Sequence, residues 1–144
     1  MSTTTKPDLS ITTTEHPNVG RLREGFAAFA RGDLDAVRAT LTDTCTWTNA
    51  GTSPIAGSHT GWAAIQEMFG TLINTTDGTF SMNVLSTVGD AKHAIAVYDA
   101  TSTVKGVTAT TRFVLIDDMT PEGKASAVHV LAYDQAAADA HFNG

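Results

Sequence analysis

Apolar residues recur at helical spacing in the first half of this chain and at strand spacing in the second. The first helical stripe begins after Pro17, a residue that fits the first turn of a helix, and it consists of Val19, Leu22, Phe26 and Phe29. Gly32 predicts the end of this helix, and Asp33 predicts the cap of a short second helix that runs through Leu41. A third helix is predicted after a cap at Thr60, and its buried face comprises Trp62, Ile65, Met68, Phe69 and Leu72.

After Gly78 the apolar pattern changes to a period of two. Four strand-like segments follow, near residues 79–88, 92–104, 107–116 and 125–133. Short turn signals separate them, which predicts an antiparallel meander. A shorter strand at 45–49 precedes the third helix. This order predicts an α+β domain in which three N-terminal helices pack on one face of a curved antiparallel sheet.

Several predicted strands carry apolar residues on both faces. Ile95 and Val97 alternate with Ala96 and Tyr98, and Val130 alternates with Leu131. An antiparallel sheet with one solvated face would alternate more cleanly. The second face is therefore expected to be covered, and the sequence predicts a homodimer formed through the sheet.

Residues 1–14 are rich in threonine and show no apolar periodicity, which predicts a disordered tail ahead of a single domain at 15–144. The net charge of −6, from 15 acidic and 9 basic residues, argues against a nucleic-acid partner. The sequence contains neither a signal peptide nor an apolar run of about 20 residues, so we expect a cytoplasmic protein with no membrane partner.

Sequence motifs for cofactors and metals are missing. Cys45 is the single cysteine, which excludes an intrachain disulfide and a thiolate zinc site. The five histidines (His16, His59, His93, His129 and His141) do not fall at paired metal-ligand spacing. We therefore expect no metal and no cofactor, and any chemistry must use polar groups that converge on an apolar pocket for a small hydrophobic molecule.

The run "FAAFARGDLDAVRATLTDTCTWTNAGTSPIAGSHTGWAAIQEMF", followed by the four-strand meander, resembles the NTF2-like superfamily, and within it the SnoaL-like branch of polyketide-cyclase relatives. The resemblance covers residues 17–142. It implies a cone-shaped fold in which a strongly bent sheet wraps around the helices and leaves a deep apolar pocket. It also implies dimerisation through the sheet. As a guide to function it is weak, because one scaffold carries isomerases, hydrolases, cyclases, dehydratases and binding modules.

Ketosteroid isomerases are among these relatives, but this chain lacks the catalytic residues of those enzymes. The aspartate base of those enzymes aligns with Asn49, an amide that cannot accept and return a proton at neutral pH. The position of the tyrosine aligns with Gly25, and the position of the second acid falls near Thr111, so neither group is present. The absence of these residues therefore argues against this activity by the known mechanism.

A limonene-type epoxide hydrolase is a lesser alternative. Asn49 and Asp134 match the water-holding residues of those enzymes, while Trp47 replaces a tyrosine. Arg112 matches the arginine of an Arg-x-Asp pair, but Val114 stands where the acid is needed. No obvious donor remains for protonating an epoxide.

A SnoaL-like cyclase, isomerase or lyase fits best, because that chemistry needs one carboxylate in an apolar pocket and donors for an enolate oxygen. Asp134 resembles the family's acid/base, and Asn49 would orient the oxygen. The alternatives are that Asp134 only caps a helical turn and that Asn49 only organises the loop after it. The rival function is a non-catalytic ligand-binding or dimeric interaction module. The residues expected at the pocket are Phe26, Trp47, His59, Trp62, Phe69, Tyr98 and Arg112.

Overall fold

The computed structural model describes residues 15–144, so the predicted tail at 1–14 lies outside the described residues. The fold is α+β, with helices packed on a curved sheet of six strands. Within the described residues, no helix has both the length and the apolar character needed to cross a membrane. In chain order the elements are α1 (Pro17–Ala30), α2 (Leu34–Ala39), β1 (Leu41–Asn49), β2 (Gly57–Thr60), α3 (Trp62–Thr75), β3 (Ser81–Gly89), β4 (His93–Val104), β5 (Val107–Met119), β6 (Ala125–Ala132) and α4 (Gln135–Asn143).

The sheet has the strand order β2-β1-β6-β5-β4-β3. Strands β3 to β6 form the predicted antiparallel meander. Strand β1, however, pairs in parallel with β6 and places Trp47 opposite Val128. The expectation of a wholly antiparallel sheet was therefore wrong. The connection from β1 to β6, which runs through β2, α3 and strands β3 to β5, is long enough for the two strands to run in the same direction.

Local hydrogen bonds explain where helices α2 and α3 begin, and they correct two of the predictions. Asp33 caps α2 as predicted, and its Oδ1 accepts a hydrogen bond from the Ala36 amide at 3.1 Å. The helix ends at Ala39, because Leu41 already belongs to β1. Thr60 does not cap α3: it lies in β2, where its hydroxyl pairs with that of Thr46 at 3.0 Å. Gly61 occupies the N-cap without a side-chain bond.

A fourth helix, α4, follows the last strand, so the expected set of three N-terminal helices was incomplete. Asp134 is its N-cap, and its Oδ1 accepts a hydrogen bond from the Ala137 amide at 3.0 Å. Ala138 and Phe142 are the buried side chains of α4. The run of alanines in α4 gives only a weak apolar stripe, which is why the sequence indicated no more than a final turn.

The core lies between the inner face of the sheet and the helices. Strand β4 turns Ala94, Ala96, Tyr98 and Ala100 inward, and all four are buried. The small alanines leave room for α1 to pack on β4, while Ile65 of α3 is fully buried. The sheet thus has one face committed to the interior, and that face bears the side chains of the candidate site.

Replacement of Asp134 tests its capping role. We expect Asp134→Ala to lower the free energy of unfolding by about 1 kcal/mol, because the Ala137 amide loses its acceptor. Asp134→Asn should be close to wild type, since an asparagine oxygen also caps helices. Urea denaturation of the three proteins measures both effects, and an equal loss in both variants would contradict the capping role.

Candidate functional site

An elongated cavity of about 130 Å³ lies between the inner face of the sheet and helices α1, α3 and α4. Its size is similar to that of an engineered cavity of roughly 150 Å³ that binds benzene. Most of its wall is apolar. The polar and charged side chains that line it are Arg21, Thr40, Asn49, Ser53, Tyr98, Asp117, Gln135 and Asp139.

Five of the predicted site residues line this cavity: Phe26, Trp47, Asn49, Phe69 and Tyr98. The aromatic rings form two edge-on pairs. Trp47 meets Phe69, and Phe26 meets Tyr98, each with ring centroids 5.1 Å apart. Such pairs hold their rings in defined orientations. The four rings come from α1, β1, α3 and β4, and all of them line the cavity.

Three predicted pocket residues lie elsewhere. His59 sits on the edge strand β2, where its Nε2 bonds to the Ile55 carbonyl at 2.9 Å. Trp62 is absent from the cavity lining: its ring lies 6.4 Å from that of Phe69, and the guanidinium of Arg38 lies 5.9 Å from its centroid. Arg112 has the opposite strand parity from the inward Phe113, so it points to the outer face of the sheet. There its Nε donates to Asp99 at 2.8 Å.

Asp134 also lies outside the cavity lining, which corrects the prediction that its carboxyl faces the pocket. The strand ends at Ala132, and the chain turns into α4 before the inward alternation can continue. The carboxyl instead caps α4, and the residue is exposed. Asp134 and Arg112 therefore do not join Asn49 in an epoxide-hydrolase arrangement.

Asn49 lines the cavity, but its amide is engaged by the protein. It is 7% exposed. Its Nδ2 donates to the Ile55 carbonyl at 2.9 Å and to the Met68 sulfur at 3.0 Å. Its Oδ1 accepts from the Trp47 indole at 3.1 Å. Both donor hydrogens are thus committed, so Asn49 fixes the Trp47 ring and the loop at 50–56, and it has no donor left for a ligand.

Among the residues that the structure describes, Asp117 is one of two acidic residues that line the cavity, and it lies on strand β5 of the sheet. On β5 it has the same parity as Phe113 and Leu115, and it also lines the cavity. Its neighbours across the sheet are Ala94 on β4 and Val128 on β6. Within residues 15–144 its carboxyl accepts no hydrogen bond. It is therefore a carboxyl in apolar surroundings.

Those surroundings change its acidity. Burial raises the pKa of Asp117 to about 7, and the nearby charge of Asp118 adds to the rise. The pKa of the nearby Cys45 thiol is raised to about 11, by burial and by the charge of Asp117. Burial also raises the pKa of the Tyr98 phenol. Near neutral pH, both protonation states of Asp117 are accessible, while Tyr98 stays a neutral hydrogen-bond donor.

Asp117 is not among the sequence-predicted site residues. The predicted strand ends at Ile116, and the run "DDMTPEGK" that follows it is typical of a turn. The strand continues to Met119. The signal was present, since Phe113, Leu115, Asp117 and Met119 alternate on one face. A single carboxyl in an otherwise apolar alternation would have marked the position.

The sequence profile of the SnoaL-like domain matches residues 22–131. The chain therefore belongs to the SnoaL-like domain family. No curated protein matches it at a significant level. Its fold, with helices packed on a curved six-stranded sheet, is that of the NTF2-like proteins.

Solved structures show the same fold. Bal32a, from a soil-derived mobile gene cassette, has a TM-score of 0.81 at 27% identity, with 87% of this chain and 95% of that chain covered. TerC, co-crystallised with polyporic acid, has a TM-score of 0.79 at 18% identity, with 90% and 100% covered. A Mycobacterium tuberculosis protein in complex with estradiol-17β-hemisuccinate has a TM-score of 0.68 at 16% identity, with 82% and 93% covered.

The raised pKa of Asp117 predicts a specific pH dependence of stability. A folded-state pKa near 7 exceeds the unfolded value of about 4, so the native state holds the proton more tightly, and stability is lost as the pH rises through this window. Relative to Asp117→Asn, we expect wild type to lose about 2–4 kcal/mol of unfolding free energy between pH 4 and pH 8.

Urea denaturation at a series of pH values measures this difference, and Asp134→Asn serves as the exposed control. The titratable groups beside Asp117 are Cys45 on β1 and the adjacent Asp118. Cys45 stays protonated throughout the window, because its pKa is raised to about 11. A pH-independent difference between wild type and Asp117→Asn would contradict the raised pKa.

Proposed function

We propose that this protein binds a small apolar molecule bearing a carbonyl oxygen and that Asp117 transfers a proton within it, as in cyclase, isomerase or lyase chemistry. The observation that carries the proposal is the Asp117 carboxyl on the apolar inner face of the cone. The family and the small molecules bound by two of the structural neighbours support a ligand in this cavity.

The proton transfer follows from the two accessible states of Asp117. Its carboxylate can take a proton from a carbon next to a carbonyl, which leaves an enolate, and the resulting acid can return the proton to another atom. Because the pKa of Asp117 is about 7, the carboxylate that accepts the proton and the acid that returns it are both populated near neutral pH. The apolar wall keeps water away from the reacting carbon.

Tyr98 supplies a second polar group in the cavity. It is 5% exposed, and within residues 15–144 its hydroxyl forms no hydrogen bond to protein. It lies four residues along β4 from Ala94, the partner of Asp117, so the two backbone positions are about 14 Å apart. We infer that Tyr98 holds an oxygen at the far end of the ligand rather than the one beside Asp117.

Binding without catalysis is the second candidate, and the state of Asn49 favours it. The amide that would stabilise an enolate is committed to Ile55 and Met68. Gln135 is similarly engaged, because its Nε2 donates to Ala50 and to Asp139. A cavity with few free donors suits a binding module as well as an enzyme.

Deuterium exchange separates the two functions. We expect the protein to accelerate exchange at the carbon next to the carbonyl of 2-tetralone, a small apolar ketone, in deuterated water followed by NMR. Asp117→Asn should reduce the protein-catalysed rate by a factor of about 100 or more, because the base is removed. Asp134→Asn should retain the wild-type rate. Bound ketone with no acceleration in wild type would establish a binding module.

The outer face of the sheet supports the proposal of a homodimer. Cross-strand pairs place apolar residues side by side on this face: Val88 lies opposite Ile95, which lies opposite Ile116, and Val97 lies opposite Val114, which lies opposite Leu131. Leu131 is 42% exposed. We propose that a second copy of the chain covers this patch.

A charge in the middle of the patch should break the dimer. We expect Val114→Lys to convert the protein from dimer to monomer in sedimentation equilibrium, because an unpaired ammonium would be buried at the interface. Val107→Glu, at the exposed hairpin between β4 and β5, is the matched control and should leave the mass unchanged. A monomeric wild type at micromolar concentration would contradict the proposal.

A further inference from the structure

Arg21, on α1, is a charged side chain of the cavity whose position is set by the protein. Its Nη1 donates to the Asn18 Oδ1 at 2.6 Å. Asn18 is 2% exposed, and its Nδ2 donates to the carbonyl of Asp90 at 3.0 Å. A buried amide tied to the β3–β4 turn therefore orients the guanidinium. Such fixation is unusual for an arginine on an exposed helix turn, where side-chain entropy favours many rotamers.

The turn between β5 and β6 is shaped around the same guanidinium. Gly123 has a positive φ of 79°. A Cβ at this position would lie 2.4 Å from the Arg21 Cζ, which is closer than real contacts allow. The absence of a side chain at 123 therefore lets the guanidinium lie against the backbone of the turn. Asp117 lies two residues before the end of β5, so it shares this end of the cavity.

Arg21 differs from the other four arginines in the partners of its guanidinium. Arg23, Arg31 and Arg112 each contact a carboxylate, at 2.6, 2.9 and 2.8 Å. Arg38 lies over the Trp62 ring. Among residues 15–144, no carboxylate lies within 4.0 Å of the Arg21 guanidinium. Arg21 is exposed and also lines the cavity, and four of its five N–H donors have no protein acceptor in the described part of the chain.

We propose that Arg21 recognises an oxyanion on the ligand, so that the molecule taken by the cavity has an apolar body and a carboxylate or equivalent acidic group at the Arg21 end. This inference rests on the proposed function and specifies its ligand class. The planar guanidinium fork suits a carboxylate in two parallel hydrogen bonds. Asp117 does not compete for the site, since the two side chains form no ion pair and Asp117 is largely protonated below pH 7.

The proposal is tested with 2-naphthoate and 2-naphthamide, which have almost the same shape and differ in charge. At pH 6, NMR titration of wild type should show the acid binding at least about tenfold more tightly than the amide, as expected for a charge-assisted pair. Arg21→Gln should bring the two affinities within about twofold by weakening the acid alone. Arg21→Lys should keep part of the preference, because it keeps the charge and loses the fork.

Arg23→Gln is the matched control: it lies two residues along the same helix, is paired with Glu15 outside the cavity, and should leave the preference unchanged. If wild type binds acid and amide equally well, or Arg21→Gln retains the preference, the oxyanion role is wrong while the ligand cavity stands. If neither compound shifts cavity resonances, both the oxyanion role and the proposed function fail. An equal loss for both compounds in Arg21→Gln would show a purely structural role and would overturn the proposal.

Discussion

Burial of the inner face of the sheet beneath α1 and α3 is the interaction on which the rest of this structure depends. The period-two alternation of β4, β5 and β6 sends one set of side chains inward, and the helical stripes cover them. Small residues such as Ala94 and Ala96 let α1 approach the sheet. Larger rings, Trp47 and Phe69 among them, hold the remaining space open as a cavity. The site is the part of this interior that is left unfilled.

The same burial determines the chemistry. A carboxyl on an exposed strand would be an ordinary surface group, but Asp117 shares the inner face with Leu115 and Phe113. Desolvation there disfavours its charged form and raises its pKa. The fold keeps this group at the expense of stability at higher pH, a pattern expected of functional sites rather than of optimised cores. Arg21, held at the same end by Asn18, keeps a charge beside the cavity.

Much of the architecture was predictable from local patterns. The helical stripe through Leu22 and Phe26, the cap at Asp33 and the four-strand meander each follow from the spacing of residues close in sequence. Predictions that depended on where a segment ends were less successful. Thr60 extends a short strand instead of capping α3, and Asp134 caps α4 instead of entering the pocket. Thr60 is paired with Thr46 on the neighbouring strand, and Asp134 is bonded to the Ala137 amide in the first turn of α4.

The sequence by itself determined the α+β order, the family resemblance, the aromatic wall at Phe26, Trp47, Phe69 and Tyr98, and the loss of the steroid-isomerase base at Asn49. The tertiary structure alone decided which polar groups meet. Strand β5 continues two residues beyond Asp117, and its pairing with β4 and β6 places Asp117 between the buried Ala94 and Val128. The period of two along a strand shows that alternate residues share a face. Which face is buried, and which residues lie beside it, depends on pairing between segments that are distant in sequence.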